Sequence, residues 1–149
     1  MSEASRDDLI QSVMRKARDA DCRIFDVRFT DLPGTWQHFS MPIDKLEDSI
    51  FEDGLGFDGS SVRGFQQIQE SDMLVFPDPS TAFVDTTLEV PTLVLTGDIL
   101  DPITDEAYTR DHRNIARKAE QPRLVRGENV PNYWGTTGEL CTLQRVAFD

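Results

Sequence analysis

The string Phe57-Asp58-Gly59-Ser60-Ser61 is the stretch of this chain whose residue types and spacing best suit chemistry. Glycines flank the carboxylate and permit a sharp backbone course, and the two hydroxyls can tether a loop through short hydrogen bonds. One carboxylate would then stand at a loop tip in fixed geometry, able to hold a cation or to take a proton. The competing reading of the same residues is an ordinary Asp-Gly turn.

Other constellations point away from common chemistries. Gly54-Leu55-Gly56-Phe57-Asp58-Gly59 has G-x-G-x-x-G spacing, but a dinucleotide site needs a strand before it and a helix opening behind it. A helical segment precedes these glycines and no helical stripe follows, so no cofactor is expected there. The three lysines, Lys16, Lys45 and Lys118, stand beside no glycine, which excludes a Gly-x-x-x-x-Gly-Lys phosphate loop. His38 falls in a strand pattern and His112 near a helix start, where a cationic ring would oppose the helix dipole. With no Gly-x-Ser-x-Gly elbow in the chain, both read as structural. Cys22 and Cys141 lie far apart without Cys-x-x-Cys spacing, which argues against a zinc knuckle or a disulfide scaffold and for a reducing cytoplasm.

The elements that must position the loop can be read from periodicity. Ser5-Arg6-Asp7-Asp8 is a helix start, with a hydroxyl cap and carboxylates at the positive end of the dipole. Leu9, Ile10, Val13, Met14 and Ala17 then form one apolar stripe, closed by Asp19-Ala20-Asp21. Phe25, Val27 and Phe29 alternate with Asp26 and Arg28, the period of a half-buried strand. Asp31-Leu32-Pro33-Gly34 is a turn by composition and residues 35–40 a second strand, which predicts a hairpin over residues 24–40. A short helix is expected over residues 44–53, with Ile43, Leu46 and Ile50 on one side and Gly54 ending it. A glycine-rich loop over residues 54–64 follows. Residues 73–77 and 82–85 read as two strands parted by a turn at Asp78-Pro79-Ser80, and residues 92–96 as a further strand. A helix restarts near Asp111, with Ile115, Ala116 and Ala119 as its apolar side. Strands and helices that mix without strict alternation point to an α+β domain.

The chain has 149 residues and a mass of 16.9 kDa, enough for one domain with a real core. No run of ~18 apolar residues suggests a membrane span and no apolar stretch follows the polar first residues, so neither membrane insertion nor a secretory signal is expected. The net charge of −12 is uneven: residues 1–30 balance to zero, residues 31–111 carry 17 acids against 3 bases, and residues 112–149 carry +2. So acidic a middle repels phosphate backbones and excludes nucleic acid as a partner, while suiting a cation or a basic surface.

Several ordered strings carry a resemblance. Phe57-Asp58-Gly59-Ser60-Ser61, then Glu70-Ser71-Asp72-Met73 and Pro77-Asp78, resemble the N-terminal domain of bacterial type I glutamine synthetase. Phe25-Asp26-Val27-Arg28-Phe29-Thr30-Asp31 is similar to its first strand and turn. Asp98-Ile99-Leu100-Asp101-Pro102 and Tyr108-Thr109-Arg110-Asp111 with Arg113 match the run into its next helix, so the likeness covers residues ~5–120 in order. It implies a β-grasp (ubiquitin-like) mixed sheet with flanking helices over residues 1–110. Residues 111–149 would be a helix and the degenerate start of a catalytic domain.

The resemblance also implies roles. Asp58 would be an ammonium-site carboxylate, acting only across a subunit interface, with Gly59, Ser60, Ser61 and Phe65 supporting its loop. Phe65 stands where the family commonly has a tryptophan. The family ligates ammonia to glutamate with ATP and Mg²⁺ or Mn²⁺, and its Gly-Pro-Glu-x-Glu becomes Gly135-Thr136-Thr137-Gly138-Glu139 here. Glu139 keeps one metal-ligand position, while its partner position is Thr137, a poor ligand for a hard cation. A chain reduced to this domain is expected to bind no cofactor and to lack ligase activity alone. It would instead associate with itself or with full-length glutamine synthetase subunits, or be the idle remnant of a degraded gene. Residues 121–149 are expected to be poorly ordered or docked on another copy, because their strand would lack neighbours.

Overall fold

The computed structural model describes residues 5–65, 72–104 and 106–125. Helix α1 spans Arg6–Asp19 and begins as the sequence predicts. The Ser5 hydroxyl accepts the Asp8 N–H at 3.2 Å and the Asp8 carboxylate accepts the Ser5 N–H at 3.2 Å, a reciprocal cap. Its buried residues Ile10, Val13 and Ala17 recur at helical spacing and lie in one core cluster with Phe25, Val27 and Phe29. Each large side chain buried there contributes roughly 1.5–3 kcal/mol.

Five strands form one mixed sheet in the order β2-β1-β5-β4-β3: β1 (Ile24–Thr30), β2 (Trp36–Pro42), β3 (Leu55–Asp58), β4 (Asp72–Asp85) and β5 (Thr92–Leu100). The β1–β2 hairpin is antiparallel, with Thr30 opposite Trp36, as the Pro-Gly turn signal predicts. β1 and β5 run parallel at the centre, and β4 joins β5 antiparallel. The α+β expectation therefore holds, and the mixed sheet with helices beside it is the β-grasp arrangement.

Several local expectations are corrected. The helix over residues 44–53 is split into a 3-10 turn at Ile43–Lys45 and a one-turn helix α2 at Ser49–Asp53. Leu46 and Ile50 are buried as expected. The glycine-rich loop begins as a strand: Leu55 and Gly56 pair with Val75 and Leu74, so β3 gains ladder hydrogen bonds despite its glycine. The turn at Asp78-Pro79-Ser80 is an irregularity inside the continuous strand β4. There Asp78 accepts the Ser80 N–H at 3.0 Å, while the Thr81 hydroxyl accepts the Thr96 N–H at 2.9 Å and donates to the Asp78 carbonyl at 2.7 Å. Side chains supply the hydrogen bonds that the shifted register removes.

Asp26 does not face solvent as strand alternation suggested; it is 3% exposed. Arg28 Nε donates to it at 2.8 Å, and Ser40 Oγ and His38 Nδ1 each lie 2.8 Å from its other oxygen. These donors and Arg28's second ion pair, to Asp85 at 3.2 Å, make burial of the charge tolerable.

Helix α3 (His112–Val125) starts where expected, but its apolar side does not pack. Ile115 is 47% exposed, while Asn114 is buried and Arg113 reaches Asp98 at 2.8 Å and Asp78 at 2.7 Å. Charge pairing and a buried amide orient this helix in place of a stripe. Residues up to Lys118 form one compact unit; residues 119–149 form a second, of which the end of α3 is the part described. The expected strand within residues 121–149 lies outside the described residues.

Candidate functional site

The end of the β3–β4 ladder carries two carboxylates, with Asp58 directly opposite Asp72. β3 stops there because Asp58 turns its own backbone into a 3-10 turn at Gly59–Ser61. Asp58 Oδ1 accepts the Ser60 N–H at 2.8 Å and the Ser60 hydroxyl at 2.7 Å, and Oδ2 accepts the Ser61 hydroxyl at 3.1 Å. Three donors thus fix the orientation of an exposed carboxylate. Beside it lies a shallow, open concavity bounded by Gly56, Phe57, Asp58, Asp72, Leu74 and Pro102. Chemically, an oriented anion at a rim can hold a small cation or accept a proton from it.

Beneath the loop the packing is aromatic. Gly59 and Val62 are buried, and Phe65 is 2% exposed, its ring 5.1 Å from Tyr108 and 6.2 Å from Phe29. Gly64 has φ +84°, and a Cβ there would come within 2.8 Å of Leu32. Only glycine fits such a position without strain. The Tyr108 hydroxyl donates to the Phe65 carbonyl at 2.8 Å, and Arg110 Nη1 donates to the Gly64 and Phe65 carbonyls at 2.9 and 2.8 Å. Burial pushes the Tyr108 phenol up from its ordinary value.

The structure therefore brings Asp58, Gly59, Ser60, Ser61 and Phe65 into one loop, as their adjacency required. Glu139 and Thr137 lie outside the described residues. Among the described residues no group of three or more His, Cys, Asp or Glu stands together that could hold a metal ion. Sequence reasoning quoted Tyr108 and Arg110 only as parts of a matching string. Their contacts span 43 to 46 residues and leave no periodic trace. Asp72 was likewise a motif residue, placed opposite Asp58 only by strand register. No helix among the described residues is long and apolar enough to cross a membrane.

Comparison with known proteins shows the family. The model of the glutamine synthetase β-grasp domain matches residues 21–102. The glutamine synthetase of Frankia alni is 51% identical over 141 residues, covering 93% of this chain and 29% of that protein. A 3-hydroxylaminophenol mutase of Cupriavidus pinatubonensis is 46% identical over 140 residues, covering 94% of this chain and 30% of that protein. In fold, the chain is similar to the cryo-EM structure of Plasmodium falciparum glutamine synthetase, with a TM-score of 0.71, 22% identity, and coverage of 85% of this chain and 24% of that one. The chain thus spans about 30% of the length of the relatives it matches. With the family model covering more than half of its residues, the chain belongs to the glutamine synthetase β-grasp domain family.

Proposed function

We propose that these residues serve as the β-grasp domain of a glutamine synthetase-type protein in the cytoplasm, with residues 1–110 as the grasp module and residues 111–149 as a helix and the degenerate start of a catalytic domain. Asp58 is the group the module contributes. Presented to the active site of a neighbouring subunit, its carboxylate holds ammonium and takes one of its protons, and the ammonia nitrogen keeps the freed electron pair for attack on activated glutamate. Ser60 and Ser61 orient the carboxylate, and Phe65 anchors their loop. The observation that carries this reading is an exposed carboxylate held by three short-range donors at the end of a rigid ladder. Likeness in sequence alone would not suffice, because a relative named as a mutase shares the segment about as closely as the synthetases do.

A carboxylate can bind a cation and move a proton, but it cannot activate glutamate. The 149-residue polypeptide alone is therefore without ligase activity. Purified chain is expected to release no phosphate above background when given ATP, Mg²⁺, glutamate and ammonium. Turnover within a few-fold of a complete glutamine synthetase would overturn this.

A second reading, that the chain associates with complete glutamine synthetase subunits, is favoured by its uneven charge. The −14 balance of residues 31–111 calls for a basic counterpart. Mixing with the host's complete enzyme should give co-elution or a change in activity; the absence of both refutes association.

A further inference from the structure

The loop carrying Asp58, residues 59–65, is held at both ends by unrelated means. Its start is fixed by the β3–β4 ladder, where Asp58 faces Asp72. Its far end is gripped through two carbonyls: Phe65 O receives both the Tyr108 hydroxyl and Arg110 Nη1 at 2.8 Å, and Gly64 O receives Arg110 Nη1 at 2.9 Å. Tyr108 is itself pinned. Tyr108 N–H donates to the Ile99 carbonyl at 2.8 Å, at the end of β5. The Tyr108 carbonyl accepts the Asn114 amide at 2.7 Å and the Asp111 N–H at 3.2 Å, at the start of α3. A continuous run of hydrogen bonds therefore joins β5 and the first turn of α3 to the far end of the Asp58 loop.

We infer that Tyr108 and Arg110 are positioning residues for Asp58. Neither touches the carboxylate. By fixing the far end of a seven-residue loop whose start is already fixed, they leave Ser60 and Ser61 one place from which to orient it. The inference rests on the proposed role of Asp58 for its functional meaning, though the grip itself does not. Because Phe65 O accepts from both residues, one donor can cover for the other, and the double variant is the decisive one.

The test is NMR on the full chain, comparing wild type with Tyr108→Phe, Arg110→Lys, Arg110→Ala and Tyr108→Phe/Arg110→Ala. Two local readouts are followed: the Asp58 χ1 couplings and the exchange rate of the Ser60 amide. The Leu95 amide, in the centre of β5, reports global stability. In the double variant Ser60 exchange is expected to rise by at least about tenfold relative to Leu95, since the three bonds from Tyr108 and Arg110 to the Gly64 and Phe65 carbonyls are lost together. Asp58 χ1 should average over rotamers, and Arg110→Lys should fall between wild type and Arg110→Ala. A purely structural role would raise Leu95 exchange while leaving Ser60 exchange and χ1 unchanged, which overturns the inference. If the double variant fails to fold, the same ratio in Tyr108→Phe and Arg110→Ala decides, at a few-fold in place of tenfold. Should Asp58 prove irrelevant to glutamine formation while these variants still free its side chain, the proposed function fails and the positioning stands.

Discussion

Replacing Gly97 by alanine should disrupt the sheet that carries the Asp58 loop, and the size of the effect follows from the packing. Gly97 lies in β5 opposite Pro77, and a Cβ there would come 2.2 Å from Val75 Cγ2 and 3.3 Å from Val27 Cγ1. Carbon atoms pack at ~3.5–4.0 Å, so the added methyl lacks more than about 1 Å of room. Val75 and Val27 are both fully buried, and their branched side chains are stiff at χ1. Overpacking of this kind costs ~1–3 kcal/mol, and so large an overlap puts Gly97→Ala near the top of that range. With a urea slope of ~1–3 kcal/mol/M, the unfolding midpoint followed by far-UV circular dichroism should fall by about 1 M or more. Val75→Ala removes the obstructing methyl groups and by itself should cost about 2 kcal/mol. In the double variant the new methyl group occupies that space, so the two penalties should not add. Gly56→Ala, in the same sheet with nothing within 4 Å of its added Cβ, should be nearly neutral. A loss below ~0.5 kcal/mol for Gly97→Ala, or strict additivity with Val75→Ala, would refute the steric reasoning.

Two further outcomes concern pH. Burial pushes Asp26 and Asp78 up, but hydrogen bonds outweigh it and hold both below the usual carboxylate range: from Arg28, His38 and Ser40 for Asp26, and from Ser80 and Arg113 for Asp78. A depressed folded value stabilises the fold above the unfolded value of ~3.9 and is lost as pH falls through the folded one. The urea midpoint should therefore drop below about pH 4; Asp26→Asn should lower it at pH 7 and flatten the drop, and an equally steep drop in the variant would contradict this. Asp111 has the opposite sign, since burial, helped by the charge of Asp98, raises it against donors that include the Arg113 and Ile99 N–H groups. A raised folded value costs stability above it, which returns as pH falls through it towards the unfolded value of ~3.9. Asp111→Asn keeps an acceptor for the Arg113 N–H, 3.1 Å away, and should be at least as stable as wild type at pH 7 by urea unfolding. A clear loss would show that the charge is needed.

Much of the fold was legible because local signals agreed with the global arrangement. Ser5, Asp8 and the Ile10–Val13–Ala17 spacing specify α1 without outside help, and the Pro33-Gly34 turn joins two alternating strands. The failures share one cause, which is that tertiary pairing overrides composition. Gly54, Gly56 and Gly59 made β3 read as a loop, yet β4 supplies its ladder. Pro79 and Ser80 imitate a turn where Asp78 and Thr81 repair an irregular strand. Asp26 obeys strand alternation and is still buried, because Arg28, His38 and Ser40 close over it from the same face. At the site, Asp58 and its two serines were legible as neighbours in sequence. Tyr108 and Arg110 were not, since only the folded chain brings them to Gly64 and Phe65.

The role of Asp58 is tested most directly by supplying this chain to a glutamine synthetase that lacks its own corresponding first third, and measuring ammonium-dependent phosphate release by the mixture. With the wild-type chain, turnover should appear. With Asp58→Asn, which keeps shape and removes charge, it should fall by at least about 100-fold, the usual worth of a proton-accepting group. An Asp58→Asn mixture working within a few-fold of wild type would contradict the role assigned to this carboxylate.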